Sequence, residues 1–391
     1  MEPGLQPEVK NQAGSRSPSV PDPLLQPAIS GHEADKQQEA YRPDRMEWIL
    51  IGPQGLRAGW SILLFAASFY FFRLIIGTIF YSTGLVDETR VDSAANVLPG
   101  TLAALLALAG TAAWISLLEG HRIRDYNLVD PRIARHLLSG LISGFAAISV
   151  LVGSLAWGGW LRFGADELSG AQSLGLAAMW GCVFLLVGLV EEGLFRCYGL
   201  FTLSRGINFW WALSAEAAIC LYVLERGGNG ANGVFAAAGL GLIPCLILHF
   251  RGAEGSCFWQ AAWVTSTLFG VYHTRNSGEN WVGILAAAAI GFVFCVSVRV
   301  TGSAWWAIGC HAAWDWAETY FYGTSDSGMA AQGHYLSTTP AGNPLWSGGS
   351  DGPEGSLLVL GVIVLLALFL VVSHGWNKLR AGDLSTDPAA G

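Results

Sequence analysis

Charged residues are scarce in this chain: of its 391 residues, only 13% are Asp, Glu, Lys or Arg, whereas 52% are hydrophobic. A soluble protein of this length would need a more highly charged surface. Basic residues are rarer than acidic ones, the formal net charge is −8, and no basic stripe runs along the chain. The composition therefore excludes nucleic acid as an expected partner and indicates a membrane environment.

The cysteines lack the spacing of a metal or redox motif. None of the seven forms a Cys-x-x-Cys pair, and all of them lie in apolar surroundings. We therefore interpret them as small buried side chains rather than as disulfide partners or thiolate ligands. The His-Glu-x-x-His signature of zinc proteases is absent as well.

Long apolar runs fill most of the chain, many of them near the ~20 residues that a spanning helix requires. Gly and Pro within them do not exclude a transmembrane helix. The sequence therefore predicts an all-α protein, a polytopic transmembrane helical bundle of about 8–10 spans. The runs cover about 60–85, 98–118, 137–161, 174–200, 209–224, 234–250, 258–273, 281–298, 304–321 and 357–372.

The ends of the chain differ in composition from these runs. Residues 1–45 are rich in Pro, Gln, Ser and acidic residues, which predicts a disordered N-terminal tail. We assign 46–380 to the polytopic membrane domain and 381–391 to a short C-terminal tail. Arginines follow the second run and Lys378 and Arg380 follow the last, so the positive-inside rule predicts that both termini are cytoplasmic. The segment 318–353 has no Lys or Arg and is predicted to be an external loop.

Two adjacent glutamates and an arginine lie in the fourth run. Charge at membrane depth is costly, so such residues are functional candidates. Glu192 and Arg196 are four apart and share a helix face, which predicts an ion pair. Neighbouring helical residues point about 100° apart, so we expect Glu191 to face a different point, a cavity, as a general base. A charge cluster at a helix end is the alternative.

Two histidines lie in later runs. His273 follows Phe269 by four residues, and alone it could be an interfacial histidine. His311 and Asp315 share a helix face at the same spacing. That pair can supply two metal ligands, or an imidazole with an acceptor that fixes its tautomer.

Together and in this order, the motifs resemble those of the CPBP membrane proteases, that is, the type II CAAX prenyl endopeptidases and their bacterial relatives, some linked to bacteriocin processing. The resemblance covers about 174–316 and implies an intramembrane endopeptidase core. It implies a membrane-associated peptide or protein substrate in the lipid bilayer, and a location in the bacterial inner (plasma) membrane. The implied site residues are Glu191, Glu192, Arg196, His273, His311 and Asp315.

Within this resemblance, Glu191 would activate water, with the role of a metal left open. Glu191, His273 and His311 form a chemically reasonable zinc ligand set. Asp315 takes the place of the family's frequent Asn, and the 196–269 gap is longer than usual by about one helical hairpin. Simple alternation of spans would place Glu191 near the inner face and His273 near the outer face, although catalysis requires them to meet. Either a helix boundary is misread or one apolar run is re-entrant.

Two other functions remain as alternatives. The chain could be a non-catalytic membrane scaffold or immunity-type protein that keeps the family fold. It could also be a transporter in which intramembrane charges form an ion path, although no inverted repeat is evident. Dependence of proteolysis on Glu191 would separate these functions from an enzyme.

Overall fold

The computed structural model describes residues 50–52, 55–86, 93–164, 170–228, 230–276 and 278–374. The predicted tails, 1–45 and 381–391, lie outside these residues. The described chain is almost entirely helical and multi-pass, which confirms the predicted all-α membrane bundle. Its helices are α1 (Ala58–Ser82), α2 (Ala94–Glu119), α3 (Ile133–Trp157), α4 (Gly170–Glu192), α5 (Leu200–Ser204), α6 (Phe209–Arg226), α7 (Ala231–Phe250), α8 (Ser256–His273), α9 (Trp281–Thr301), α10 (Trp305–Trp316), α11 (Pro344–Ser347) and α12 (Leu357–His374).

Every predicted apolar run forms a helix, but not every helix can cross a bilayer alone. Seven helices of the described residues are long and apolar enough, fewer than the eight to ten expected. Helix α6 carries three charged residues, and α8 buries several polar ones. Helix α10 would extend only about 18 Å, which is shorter than the hydrocarbon core. These three helices therefore depend on the surrounding spans to cover them.

Extended structure is limited to short antiparallel pairs in the described residues. Strands β1 (Ile51–Gly52) and β2 (Gly55–Leu56) pair just before α1. Strands β3 (Leu161–Phe163) and β4 (Thr338–Pro340) pair with Arg162 opposite Thr339. The second pair connects the end of α3 to the long segment before α12, so it holds that segment against the bundle.

Helix α10 packs against α3 and α4 and lies in the core of the bundle. Trp306, Ile308 and Cys310 of α10 are all fully buried. A Cβ atom at Gly140 or Gly144 of α3 would overlap backbone atoms of α10. Small residues four apart allow such close backbone approach between membrane helices. The glycines of α3 therefore set how deeply α10, which carries His311, enters the bundle.

Gly144→Ala should destabilise the protein because its Cβ would overlap the carbonyl oxygen of Cys310. Overpacking of this kind typically costs about 1–3 kcal/mol. Gly153→Ala is the matched control, because the same helix there borders open space. Thermal unfolding in detergent should show a lower midpoint for Gly144→Ala and an equal or higher one for Gly153→Ala. Equal midpoints would contradict close packing of α3 on α10.

Asp130 joins the loop after α2 to the start of α10. Its carboxylate accepts hydrogen bonds from Ser303 Oγ at 2.6 Å, from the Arg132 backbone N–H at 2.7 Å, and from His136 Nδ1. Burial opposes ionisation of Asp130, but these hydrogen bonds together hold its pKa below the usual value. The contacts favour the ionised carboxylate and fix the turn that begins α10.

Asp130→Asn should lower thermal stability by about 1.5–3 kcal/mol, since hydrogen bonds to a charged group are lost. A depressed pKa contributes stability above the unfolded-state pKa near ~4, and that contribution is lost as the pH falls through the folded value. Wild type and Asp130→Asn should therefore differ most at neutral pH and converge below about pH 4. Unfolding midpoints measured from pH 3 to pH 8 test this, and a constant difference would contradict it.

Candidate active site

A cavity of about 330 Å³ brings together four of the six predicted site residues. Glu191, His273, His311 and Asp315 all line it. Glu192 and Arg196 are fully buried and do not line the cavity. The structure thus separates the predicted residues into a group that faces the cavity and a pair that lies behind it.

The pair behind the cavity holds His311. Arg196 Nη1 donates to Glu192 Oε1 at 3.2 Å, as the four-residue spacing predicted. The same Glu192 oxygen lies 2.9 Å from His311 Nδ1. Because a carboxylate oxygen only accepts hydrogen bonds, Nδ1 carries the proton and Nε2 is the free nitrogen. Glu192 therefore fixes the orientation of the imidazole as well as neutralising Arg196.

Glu191 reaches the opposite edge of the same imidazole. Its Oε2 lies 3.8 Å from His311 Nε2, and Asp315 Oδ2 lies 3.4 Å from that nitrogen. Glu191 thus faces the cavity while Glu192 faces Arg196 behind it, as the helix geometry predicted. The two carboxylates do point in different directions from their helix, but the ring of His311 lies between them and contacts both.

A proton must be held at this edge of the ring. The carboxylates of Glu191 and Asp315 accept hydrogen bonds when ionised, and so does an unprotonated Nε2. Acceptors this close repel one another unless a proton lies between them. Asp315 in place of Asn therefore puts a second carboxylate near His311 Nε2, where an amide would offer a donor.

His273 occupies another part of the cavity wall. Its Nδ1 lies 2.9 Å from the backbone carbonyl oxygen of Phe269, one helical turn earlier. Since a carbonyl only accepts, Nδ1 donates to it and Nε2 is left without this partner. The Phe269 ring packs edge-on against both imidazoles, 4.6 Å from His273 and 6.0 Å from His311 between centroids. Phe269 therefore separates and orients the two histidines.

The guanidinium of Arg196 lies in an aromatic box. Its Cζ is 4.3 Å from the ring centroid of Phe269, 5.3 Å from Phe294 and 5.7 Å from Phe195. Aromatic faces attract a desolvated cation, which offsets part of the cost of burying it. A side chain at Gly291 would overlap Arg196 Nη2, so that position leaves room for the cation.

Both motif helices continue into a π-helical turn directly after their acidic residues. Gly193–Gly199 follows Glu192, and Ala317–Phe321 follows α10 with its Asp315. Such wide turns are rare and often occur at functional sites. Sequence periodicity did not predict them, because one extra residue in a turn leaves almost no trace in an apolar run.

Helix pairing corrects the predicted depths of Glu191 and His273. The helical segment that contains Glu191 continues to Ser204, so this glutamate lies about 20 Å from its end. That segment runs antiparallel to α8, because Phe195 meets Phe269 with ring centroids 5.2 Å apart, whereas Gly199, four residues later, lies beside Thr265, four residues earlier on α8. Glu191 lies one turn before Phe195 and His273 lies one turn after Phe269, so the two residues are at the same level of the antiparallel pair. The opposite faces expected from simple alternation are therefore wrong.

The segment before α12 closes one side of the cavity. Asp326, Ser327 and Glu354 line it together with the predicted residues. Burial and the negative charge of Glu354 raise the pKa of Asp326 to about 7. From the sequence, 318–353 is predicted only to be an external loop. Its acidic residues with no basic ones were the available signal.

Residues 173–317 match the model of the family described as Type II CAAX prenyl endopeptidase Rce1-like. The chain carries an Rce1-like domain. This match confirms the resemblance inferred from the motifs, and it includes all six candidate residues. It supports a membrane protease that acts on peptide substrates in the bilayer. No curated protein and no solved structure matches the chain.

Removal of Arg196 from the Rce1-like domain should affect folding before it affects the reaction. Arg196→Ala would leave the fully buried Glu192 without its cation, and breaking a buried pair typically costs about 3–5 kcal/mol. Arg226→Ala removes an exposed arginine at the end of α6 and is the control. The yield of folded protein from size exclusion and the midpoint of thermal unfolding should fall only for Arg196→Ala. Normal folding with lost turnover would instead assign Arg196 to the reaction.

Proposed function

We propose that this protein is an intramembrane endopeptidase in which Glu191 activates water to hydrolyse a peptide bond of a membrane-associated protein or peptide. The single observation that carries the proposal is the cavity that joins Glu191 to both histidines. A carboxylate and two imidazoles in one largely apolar cavity are typical catalytic groups for general acid–base hydrolysis. The Rce1-like match supports the same class of reaction.

Glu191 is the proposed base because its carboxylate lines the cavity and Glu192 does not. A water beside Glu191 would lose a proton to the carboxylate while its oxygen attacks the carbonyl carbon. Glu191 would then return the proton to the leaving amine nitrogen as the C–N bond breaks. Because Glu192 is occupied by Arg196 and His311, its proposed role is to position them.

The histidines have different proposed roles because their free nitrogens differ in surroundings. With Nδ1 bonded to Phe269, His273 would use Nε2 as an acceptor for the second hydrogen of the attacking water and so orient it. A proton on His311 Nε2, shared with Asp315 at 3.4 Å, can be donated to the developing oxyanion. Asp315 would keep that proton available between reaction cycles.

The predicted zinc set fits this geometry poorly. Within the described residues, Glu191, His273 and His311 do not gather their ligand atoms within 4.8 Å of one another. His311 has Nδ1 engaged by Glu192, and its Nε2 already faces two carboxylates. The proposed mechanism therefore uses proton transfer by the side chains and contains no step through a metal.

The proposed location is the bacterial inner membrane with both termini in the cytoplasm. The basic loop that follows α2 supports this orientation, since Arg122, Arg124 and Arg132 lie there. The substrate would enter from the bilayer as a membrane-associated segment, because the cavity lies among helices that can span a membrane.

Glu191→Gln keeps the shape of the side chain but removes its basicity. Turnover should fall by about 10²–10⁴. Thermal stability should hold or rise, because an ionised carboxylate in a partly apolar site is costly to the fold. The assay is cleavage of a membrane peptide by purified protein in detergent, the peptide being found by comparing the proteomes of cells that carry wild type or Glu191→Gln.

Glu192→Gln is the matched control, since the same change one residue later should lower thermal stability. His273→Ala and His311→Ala should each remove most turnover, and adding Glu191→Gln should reduce it little further, because residues that act as a unit are not additive. If no peptide differs between the two proteomes and no candidate is cut, the non-catalytic scaffold explains the fold instead.

A further inference from the structure

A second cluster of acidic side chains lies beside the proposed active site. Glu318, Asp326 and Glu354 each present a carboxylate oxygen, and these three oxygens lie within 4.8 Å of one another. The residues come from three segments: the π-helical turn after α10, the loop that follows it, and the turn before α12. Like charges this close repel strongly unless a proton or a cation lies between them.

Glu318 shows that the cluster is incomplete as it stands. The side chain is fully buried. Its Oε2 accepts a hydrogen bond from Trp314 Nε1 at 3.0 Å, but its Oε1 has no hydrogen-bond partner within the part of the chain that the structure describes. A buried carboxylate oxygen without a partner is costly. A bound cation at the cluster would remove that cost.

We propose that Glu318, Asp326 and Glu354 bind a hard divalent cation of the size of Ca²⁺. All three donors are carboxylate oxygens, which hard cations prefer, and no histidine or cysteine belongs to the cluster, as zinc would favour. Ca²⁺ binds oxygen at about 2.3–2.6 Å, so two oxygens of one ion lie up to about 5 Å apart. Three oxygens that all lie within 4.8 Å of one another can therefore contact one such ion.

The hydrogen bonds around the cluster indicate what the ion does. Thr319 Oγ1 donates to Asp326 Oδ2 at 3.0 Å, and Ser327 Oγ donates to Glu354 Oε2 at 3.1 Å. These contacts already hold the loop close to the two helices. An ion would fasten the three segments where Asp326 and Glu354 line the cavity. It would therefore fix one wall of the cavity without touching Glu191 or either histidine.

The direct test is binding of the metal alone to the purified full-length protein. Protein treated with a chelator is unfolded thermally in detergent at pH 7.5 with increasing CaCl₂, with MgCl₂, and with NaCl of equal ionic strength. Ca²⁺ should raise the unfolding midpoint saturably, Mg²⁺ less, and NaCl not at all. A midpoint that does not respond to Ca²⁺ overturns the proposal.

Terbium luminescence gives a readout that does not depend on folding stability. Tb³⁺ has oxygen preferences similar to those of Ca²⁺, and the Trp314 indole is hydrogen-bonded to Glu318, close enough to sensitise it. Asp326→Asn and Glu354→Gln should each weaken Tb³⁺ binding at least tenfold, and Ca²⁺ should compete for it. Two variants are used so that poor expression of one leaves the test intact.

Glu279→Gln is the matched control, because Glu279 is a neighbouring carboxylate outside the cluster that accepts from Asn276 Nδ2 at 3.0 Å. It should bind Tb³⁺ like wild type, and equal weakening would show only a diffuse effect of negative charge and would overturn the site. Glu191→Gln should also bind like wild type. The Tb³⁺ measurement therefore tests ion binding separately from the proposed proteolysis.

Discussion

The buried carboxylate of Glu192 is the group on which the candidate site depends. It lies in the apolar interior between Arg196 and His311, and one of its oxygens contacts both. An unpaired charge there would be very costly, so the three side chains are stable only together. The pairing fixes the orientation of the imidazole, which turns Nε2 toward the cavity, and it keeps a proton on Nδ1. The contacts that stabilise buried Glu192 thus also determine which nitrogen of His311 is available in the cavity.

That arrangement in turn requires close approach of helix backbones. His311 can meet Glu192 only if α10 lies deep between α3 and α4, and Gly140 and Gly144 allow it to do so. Lipid offers little hydrophobic drive for helix association, so van der Waals contact along such glycine surfaces is important in membranes. The short α10 could not remain at this depth alone, and the longer spans around it supply the cover.

The sequence predicted the helices and the chemical parts of the site, because both depend on local patterns. The length of the apolar runs predicted the helices. The spacing of four residues predicted the Glu192–Arg196 pair and placed His311 and Asp315 on one helix face. Contacts between distant helices were not predictable. The position of His311 between two adjacent glutamates depends on the crossing of α10 and α4, and the level of His273 depends on the antiparallel register of α8. Single-sequence periodicity contains neither.

The distribution of charge around the cavity has a further consequence. Glu191, Asp315, Asp326 and Glu354 all line it, and Arg275 is the cavity-lining residue of opposite fixed charge in the described chain. Four carboxylates cannot all be ionised in a small, largely apolar space without protons or cations to balance them. Sharing a proton with His311 balances the end that bears Glu191 and Asp315. The proposed cation at Glu318 would balance the other end, where Asp326 and Glu354 lie.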